Sequence, residues 1–127
     1  MVDENFAKTV GFYLGMYIRA QNVREKISWL WGALSMVSKA LKDQLSEEEL
    51  ERLEQYDKEL DDIFLNHNWE LFDNYRFGNH DALTEDEYDA SIEALCRLEH
   101  IKNDLLQMLY KTNSLIQPYI LGSENAP

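Results

Sequence analysis

Apolar residues recur along most of this chain at intervals of three and four residues, which is the spacing of one face of an α-helix. The pattern predicts four helices joined by short connections, an arrangement typical of an all-α, antiparallel four-helix bundle. The clearest stripes are Phe6, Val10, Leu14 and Tyr17 in the first helix, Ile27, Leu30, Leu34 and Val37 in the second, Leu50, Leu53, Leu60 and Ile63 in the third, and Tyr88, Ile92, Leu95, Leu98, Leu105 and Leu109 in the fourth.

Residues that can cap a helix mark where the helices begin. Asp3 is a predicted N-cap of the first helix, and the second helix follows Asn22. Pro118 bars continuation of the last helix, because proline lacks the backbone N–H that the helix needs. The third and fourth helices each begin with a capping box, in which a hydroxyl and a carboxylate satisfy free backbone donors reciprocally. These boxes are Ser46 with Glu49 and Thr84 with Glu87.

The last two predicted helices have about 29 residues each and are about 44 Å long, whereas the first two are nearer to about 30 Å. Residues 66–68 are mediocre helix formers, so a break or kink in the third helix is an open alternative. Part of the long C-terminal hairpin would lack a partner within the chain, and we therefore expect a homodimer. Residues 1–121 form one predicted helical domain, and residues 122–127 form a predicted disordered tail.

The composition is that of a folded acidic domain. A length of 127 residues fits one domain, and a hydrophobic content of 45% is too high for a disordered chain. Cys96 is the one cysteine, so no internal disulfide can form. The uncharged apolar stretches 10–18 and 27–38 are too short to span a bilayer, and the N-terminus lacks a signal-peptide pattern. We expect a cytoplasmic protein without membrane contact.

Negative charge is concentrated in one part of the chain. The net charge is -12, with twelve basic and twenty-four acidic residues, and residues 1–45 carry six of the basic but only four of the acidic groups. Such a chain repels the phosphates of nucleic acid, so we expect no direct nucleic-acid binding and a basic protein as partner. The carboxylates expected to bind that partner lie on the third helix, away from its apolar stripe: Glu47, Glu51, Glu54, Asp61 and Asp62.

Carboxylates four residues apart on a helix are separated by about 6 Å along its axis, which is similar to the phosphate spacing of a nucleic-acid strand. The third helix could therefore imitate a nucleic-acid backbone and occupy a basic groove. The alternative is a solvated helix face whose charge serves only solubility.

Small residues form strips on the first two helices. Ala7, Gly11 and Gly15 are spaced by four, as are Ser28 and Gly32. Glycine within a helix costs about 0.5–1 kcal/mol relative to alanine, and close approach of another helix would offset that cost. The approaching helix belongs either to the same chain or to a second copy. A dimer seam would then contain Gly11, Gly15, Tyr17 and Trp29.

The aromatic residues of these helices exceed what one face can hold. Trp29 and Trp31 are two residues apart and cannot both face the same core, and the adjacent Phe12 and Tyr13 widen their stripe. We expect one member of each pair on the surface or at a second interface.

The sequence predicts no metal, no cofactor and no catalytic residue. The Glu-x-x-His motif of di-iron bundles precedes none of the histidines, His67, His80 and His100. Cys96 and His100 are spaced to meet on one helix, but no orienting third group accompanies them. We therefore expect Cys96 to be a half-buried structural residue.

A Glu-rich run supplies the one enzymatic alternative. The run Glu47-Glu48-x-x-Glu51, with Glu54-x-x-Asp57 and Glu59-x-x-Asp62, resembles the magnesium-binding motif of the all-helical nucleotide pyrophosphohydrolases of the MazG type. The resemblance implies a magnesium-dependent nucleotide hydrolase. Both halves of the motif fall within one predicted helix, whereas ligands for a metal should converge from facing helices.

These observations favour a non-enzymatic, acidic, helical protein-binding module. Its most concrete form is a small inhibitor of a basic or nucleic-acid-binding protein, of the anti-defence or nucleic-acid-mimic type. An immunity protein or antitoxin that neutralises a basic toxin fits equally well, and the hydrolase is the alternative from a different class.

Overall fold

A computed structural model of the chain describes residues 4–66 and 84–112, which form four α-helices and no strand. The helices are α1 (Glu4–Arg19), α2 (Val23–Ala40), α3 (Glu47–Asn66) and α4 (Glu85–Thr112). The all-α prediction is therefore confirmed. Within the two described ranges, no helix has the length and apolar content needed to cross a membrane.

Local capping fixes where three of these helices begin. The Asn22 side chain accepts a hydrogen bond from the Glu25 backbone N–H at 2.9 Å. In the first predicted capping box, the Ser46 hydroxyl accepts from the Glu49 N–H at 3.1 Å, and the Glu49 carboxylate accepts from the Ser46 N–H at 3.0 Å. The box of Thr84 and Glu87 forms in the same way at 3.2 and 2.9 Å. Asp3 lies outside the described residues.

Helix α2 is the centre of the fold and contacts the other three helices. Three residues connect α1 to α2 and six connect α2 to α3, so sequential neighbours pack side by side. The antiparallel course of α3 and α4 follows from their ion pairs, which join the start of α3 to the end of α4. The core is formed by Val10, Leu14 and Tyr17 of α1, Ile27, Leu30, Leu34 and Val37 of α2, Leu53 and Leu60 of α3, and Leu98, Ile101, Leu105 and Leu109 of α4.

Three residues of the predicted fourth stripe lie outside this core: Ile92 and the half-buried Tyr88 and Leu95. Ile92 is exposed, whereas Ser91, Ala94 and Leu98 are buried. At 100° per residue, Ile92 lies about 120° around the helix from Leu98, so it cannot share the same face. The core face of α4 therefore includes small residues that a search for large apolar side chains overlooks.

A buried polar cluster joins α1, α2 and α4. The Lys26 ammonium donates to the carbonyls of Tyr17 and Ile18 at 2.7 and 3.4 Å, near the C-terminal end of α1. The Tyr17 hydroxyl donates to Glu99 at 3.0 Å, and Lys102 pairs with Glu99 at 3.1 Å. Burial lowers the pKa of Lys26, partly opposed by the Glu99 charge, and burial with the nearby Glu99 raises the pKa of Tyr17. The cluster satisfies the carbonyls that α1 leaves free at its end.

Helices α3 and α4 are held together by paired polar side chains along their length. Lys111 pairs with Glu49 at 3.3 Å, and Arg52 pairs with Asp104 at 3.1 Å. The Tyr56 hydroxyl also donates to Asp104, and burial together with this hydrogen bond raises the pKa of Tyr56 to about 12. The fourth pair, between Arg97 and Glu59, lies nearer the start of α4.

The lengths of the last two helices are described only in part. Helix α3 comprises 20 residues up to Asn66, and α4 comprises 28 residues up to Thr112. The predicted extension of α3 to about 29 residues, the kink beyond Asn66 and the tail at 122–127 lie outside the described residues. The homodimer inferred from these lengths stays a prediction.

We predict that Gly32→Ala destabilises the protein. A Cβ at position 32 would lie 2.4 Å from Cε2 and 2.7 Å from Cδ2 of the Tyr13 ring, so the ring must move. Such overpacking costs about 1–3 kcal/mol, against a helix-propensity gain of about 1 kcal/mol. The expected net loss is about 1 kcal/mol in the free energy of unfolding, measured by urea denaturation. Ser35→Ala, at an exposed position of the same helix, is the control and should cause no loss.

We predict that Glu49→Gln destabilises the protein near neutral pH. The Ser46 backbone N–H, the Ser46 hydroxyl and Lys111 hold the pKa of Glu49 below its ordinary value of 4.5, against the opposing effect of burial. A lowered pKa contributes stability that is present above pH 4.5 and is lost as the pH falls through the lowered value. Glutamine keeps the capping hydrogen bond without the charge, so the expected cost is about 0.5–1 kcal/mol at pH 7.

Urea denaturation of wild type and Glu49→Gln between pH 7 and pH 3 checks this expectation. The two stabilities should converge as the pH falls, since protonation removes the same charge from wild type. Glu48→Gln, at an exposed position of the same first turn, is the control: it removes a charge near the helix dipole but no capping hydrogen bond and no described ion pair, so its cost should be smaller than that of Glu49→Gln. A difference that persists unchanged at pH 3 would contradict the electrostatic explanation.

Candidate functional site

The five carboxylates predicted to bind a partner are all exposed on α3. Within the described part of the chain, none of these five carboxylates takes part in a hydrogen bond or an ion pair. We call them the acidic surface: Glu47, Glu51, Glu54, Asp61 and Asp62.

Only at the N-terminal end of this surface does a gain in helix stability explain the presence of carboxylates. Acidic side chains in a first helical turn interact favourably with the helix dipole, and the first turn of α3 contains Glu47, Glu48 and Glu49. Further along α3, like charges recur at spacings of three and four, as between Glu51 and Glu54, and each such pair is unfavourable by about 0.2–0.5 kcal/mol. Glu51 is therefore present at a cost to the helix, whereas Glu54, Asp61 and Asp62 also have the cation Lys58 one turn away.

Lys58 interrupts the row of carboxylates. It is exposed one turn after Glu54 and about one turn before Asp61 and Asp62. The acidic surface consequently has two parts, one around Glu51 and one at the end of the described helix. The regular spacing of about 6 Å expected of a nucleic-acid mimic extends only through the first part.

Besides Glu49, two further acidic residues of α3 are engaged within the fold. The Glu59 carboxylate accepts a hydrogen bond from Arg97, and the Asp57 carboxylate accepts one from the Trp31 indole N–H at 2.7 Å. Both residues belong to the second half of the motif that resembles the pyrophosphohydrolases, and the whole motif lies on α3. Among residues 4–66 and 84–112, no group of three or more His, Cys, Asp or Glu side chains is arranged to hold a metal ion.

The acidic surface continues onto α4. A groove of about 410 Å³ between α3 and α4 is lined by Asp62, Glu93 and Ala94, with the paired Glu59 and Arg97. Glu93 is exposed and adds a carboxylate opposite Asp62. The sequence contains an acidic run over 81–93, but which of its residues would face α3 depends on the packing of the two helices.

A second groove, of about 760 Å³, lies between α2 and α3. Its apolar lining includes Leu34, Leu50 and Leu53. Lys39 lies along it at the end of α2 and Lys42 in the connection to α3, and α3 contributes Lys58, Glu54 and Asp57. Two of the basic residues of the N-terminal part, Lys39 and Lys42, are therefore next to the acidic surface. They mark the edge of that surface on the side of α2.

The residues predicted for a dimer seam are mostly inside the single chain. Gly11, Gly15 and Tyr17 are buried, and Tyr17 has no exposed area. The close helix approach that the glycines allow is thus present within one chain. Of the four seam residues, only the half-buried Trp29 has surface that a second copy could reach.

The two tryptophans contact different helices. Trp29 packs edge-to-face against Phe12 and Tyr13 of α1, and Trp31 packs against Phe64 of α3. Both tryptophans are half-buried, so the pair is divided between two helix interfaces, as the second of the two expected alternatives has it, and neither side chain is on the open surface. The reason is that α2 has a neighbour on each side. In the other pair, Phe12 is exposed and Tyr13 is half-buried, as expected.

Cys96 is exposed, so the expectation of a half-buried structural cysteine is wrong. Four residues later, His100 is exposed and packs edge-to-face against Tyr56. Cys96 and His100 follow Ala94 and Leu98 by two residues, which turns them away from the core face of α4. An exposed cysteine without an activating group gives no reason to assign nucleophilic chemistry here.

Comparison with known proteins gives a family but no described relative. No curated protein and no solved structure matches the chain. A family model described as "PAV1-137, bromodomain-like" matches residues 18–119, which include α2, α3 and α4 entirely together with the end of α1. A match over this much of the sequence means that the chain belongs to the PAV1-137, bromodomain-like family.

Proposed function

We propose that this protein is a non-enzymatic binding module whose acidic surface contacts a basic protein. One observation carries the proposal: five exposed carboxylates of α3 have no partner within the described residues, although the like charges around Glu51 cost helix stability. A surface that serves only solubility could be distributed over the whole chain, at no such cost to one helix.

The ion pairs of α3 and α4 distinguish their other carboxylates from those of the acidic surface. Arg52, Arg97, Lys102 and Lys111 all pair with carboxylates of α3 or α4. Three of these pairs neutralise charge between α3 and α4, the fourth neutralises charge on α4, and none of the four cations pairs with the acidic surface. With no ion pair among the described residues, these carboxylates are available to cations that come from outside the chain.

The partner that fits is a protein with a cluster of Lys and Arg side chains. Complementary charge accelerates association and selects among partners more than it adds affinity. A nucleic-acid-binding groove and a basic toxin both present such clusters, so the inhibitor and the immunity or antitoxin roles share one mechanism. The interruption at Lys58 favours recognition of separate cationic groups over imitation of a regular phosphate backbone.

The family description names no partner or activity, so the proposal rests on the surface itself. We place the protein in the cytoplasm on the basis of its sequence, where basic nucleic-acid-binding proteins are abundant. The proposed role needs no cofactor, no metal and no membrane contact.

We predict that Glu47→Gln, Glu51→Gln, Glu54→Gln and Asp61→Asn together weaken partner binding about tenfold or more, which corresponds to about 1.4 kcal/mol. The partner is first isolated from the native host with the wild-type chain as bait and is identified by mass spectrometry. Calorimetric titration at two salt concentrations then gives the dissociation constants. Wild-type binding should weaken with added salt, and the variant should respond less to salt.

A control variant with the same change in net charge distinguishes an effect of the acidic surface on binding from an effect of the total charge. It combines Asp43→Asn, Glu85→Gln, Asp86→Asn and Asp89→Asn, all of which are exposed and outside the acidic surface. It should bind like wild type. Equal weakening by both variants would mean that net charge alone matters, and unchanged binding by the first would assign partner binding to another surface.

We predict no nucleotide turnover by this protein in the presence of magnesium or manganese. The reason is that both halves of the hydrolase-like motif lie on α3, where Asp57 and Glu59 bind Trp31 and Arg97. A screen of nucleoside triphosphates and diphosphates for phosphate or pyrophosphate release checks this. Turnover that is lost in Glu48→Gln would favour the pyrophosphohydrolase instead.

A further inference from the structure

Three lysine side chains lie along the groove between α2 and α3. They are Lys39, Lys42 and Lys58, all exposed, and none of them forms a hydrogen bond or an ion pair within residues 4–66 and 84–112. We call them the lysine cluster. The cations that pair with carboxylates do not belong to it: Lys8, Arg52, Arg97, Lys102 and Lys111. A strongly acidic chain thus leaves three cations without a carboxylate partner at one groove.

The lysine cluster has two ends. The Trp31 indole donates to Asp57, the residue directly before Lys58, so Lys58 is level with the middle of α2. Lys39 follows Trp31 by eight residues, which is about 12 Å along the axis of α2. Lys42 lies just beyond the end of α2 and belongs to the same end as Lys39. Cationic groups are therefore present at both ends of a groove about two helical turns long.

A carboxylate lies between these ends. Glu54 is exposed, precedes Lys58 by about one turn and forms no ion pair within the described residues. Asp57, the other carboxylate of the groove, already binds the Trp31 indole. An anion held midway between the two ends would be repelled by Glu54. The groove therefore suits a ligand with two separate anionic groups better than a single carboxylate or phosphate.

The floor of the groove offers a smaller apolar contact. Leu34 and Leu53 are buried, and Leu50 is half-buried. One apolar side chain of a ligand can cover Leu50, so most of the attraction must come from charge. Two packed helices form a groove into which a third helix can pack, and binding of an amphipathic helix in a groove is a common mode of recognition. Acidic residues seven apart on such a helix lie on one face, about two turns from each other.

We propose that the α2–α3 groove binds an acidic amphipathic helix of a partner protein. Two acidic side chains of that helix, about two turns apart, contact the lysine cluster at its two ends. A basic side chain between them contacts Glu54, and an apolar side chain lies on Leu50. The order of charges along the groove is positive, negative, positive, and it selects the opposite order in the ligand.

A partner helix fits this groove better than a polyanion does. The exposed carboxylates of α3 lie beside the groove and would repel a nucleic-acid backbone or an anionic membrane surface. A helix carries its acidic side chains singly, so it can contact the lysines without placing an anion beside Glu54. This binding does not depend on a basic partner at the acidic surface.

The test uses synthetic alanine-based helical peptides and backbone-amide NMR titration of the whole chain. The probe peptide has two glutamates seven residues apart, with a lysine and a leucine between them on the same face. Wild type should bind it with a dissociation constant below about 1 mM, and the shifted amides should lie along the groove. An inverted peptide, with two lysines around one glutamate, should not shift these amides in the same way.

Replacing the lysine cluster by Lys39→Gln, Lys42→Gln and Lys58→Gln should weaken probe-peptide binding about tenfold or more. The matched control combines Lys8→Gln, Arg19→Gln and Arg24→Gln, which are exposed, outside the groove and equal in charge change. It should bind the probe peptide like wild type. Far-UV circular dichroism checks that both variants keep the helical fold, as expected for substitutions of exposed side chains.

A charge exchange tests the two-ended contact directly. Lys58→Glu should weaken binding of the probe peptide, because it repels one of the two glutamates. A peptide in which one of these glutamates is replaced by lysine should bind Lys58→Glu more tightly than it binds wild type. Equal binding of this peptide by both proteins would contradict a contact at Lys58.

Several results would overturn the proposal. They are the absence of probe-peptide binding by wild type, unchanged binding after replacement of the lysine cluster, and equal weakening by the control variant. A separate variant, Glu47→Gln with Glu51→Gln and Asp61→Asn, leaves every residue of the groove in place. It should weaken binding of a basic partner and bind the probe peptide at least as tightly as wild type. Failure of this proposal is therefore distinguishable from failure of the proposed function.

Discussion

The burial of α2 is the constraint on which the rest of the structure depends. Between Val23 and Ala40, only Arg24, Ser28, Ser35 and Lys39 are exposed, and they form a narrow strip along the helix. Every other face of α2 must be covered, so α1, α3 and α4 all pack against it. The buried Lys26 fits this arrangement because its ammonium group caps the end of α1 and lies 4.3 Å from the centre of the Tyr17 ring. Its position links the central helix to α1 and, through Tyr17 and Glu99, to α4.

The packing around α2 divides the charged residues of the protein into two groups. Between α3 and α4, carboxylates such as Glu49 and Asp104 are paired with cations and help to hold the helices together. On the outer side of α3, the five carboxylates of the acidic surface form no ion pair within residues 4–66 and 84–112. The same residue type thus has a structural role on one side of a helix and is available for binding on the other. The side of the helix decides between the two, because the cations of α4 reach only the side that faces them.

The sequence by itself determined the features that depend on residues a few positions apart. These are the four amphipathic helices, the helix start after Asn22 and both capping boxes, because each needs contacts over no more than about one helical turn. Only the tertiary structure decided features that join distant residues. It paired Arg97 with Glu59 and Tyr17 with Glu99. It packed Trp29 and Trp31 of α2 against two different neighbouring helices, and it left Cys96 and Ile92 exposed. Periodicity indicates that a helix has an apolar face, but the rotation of that helix against its neighbours selects which residues are buried, and that rotation is set by packing across the whole bundle.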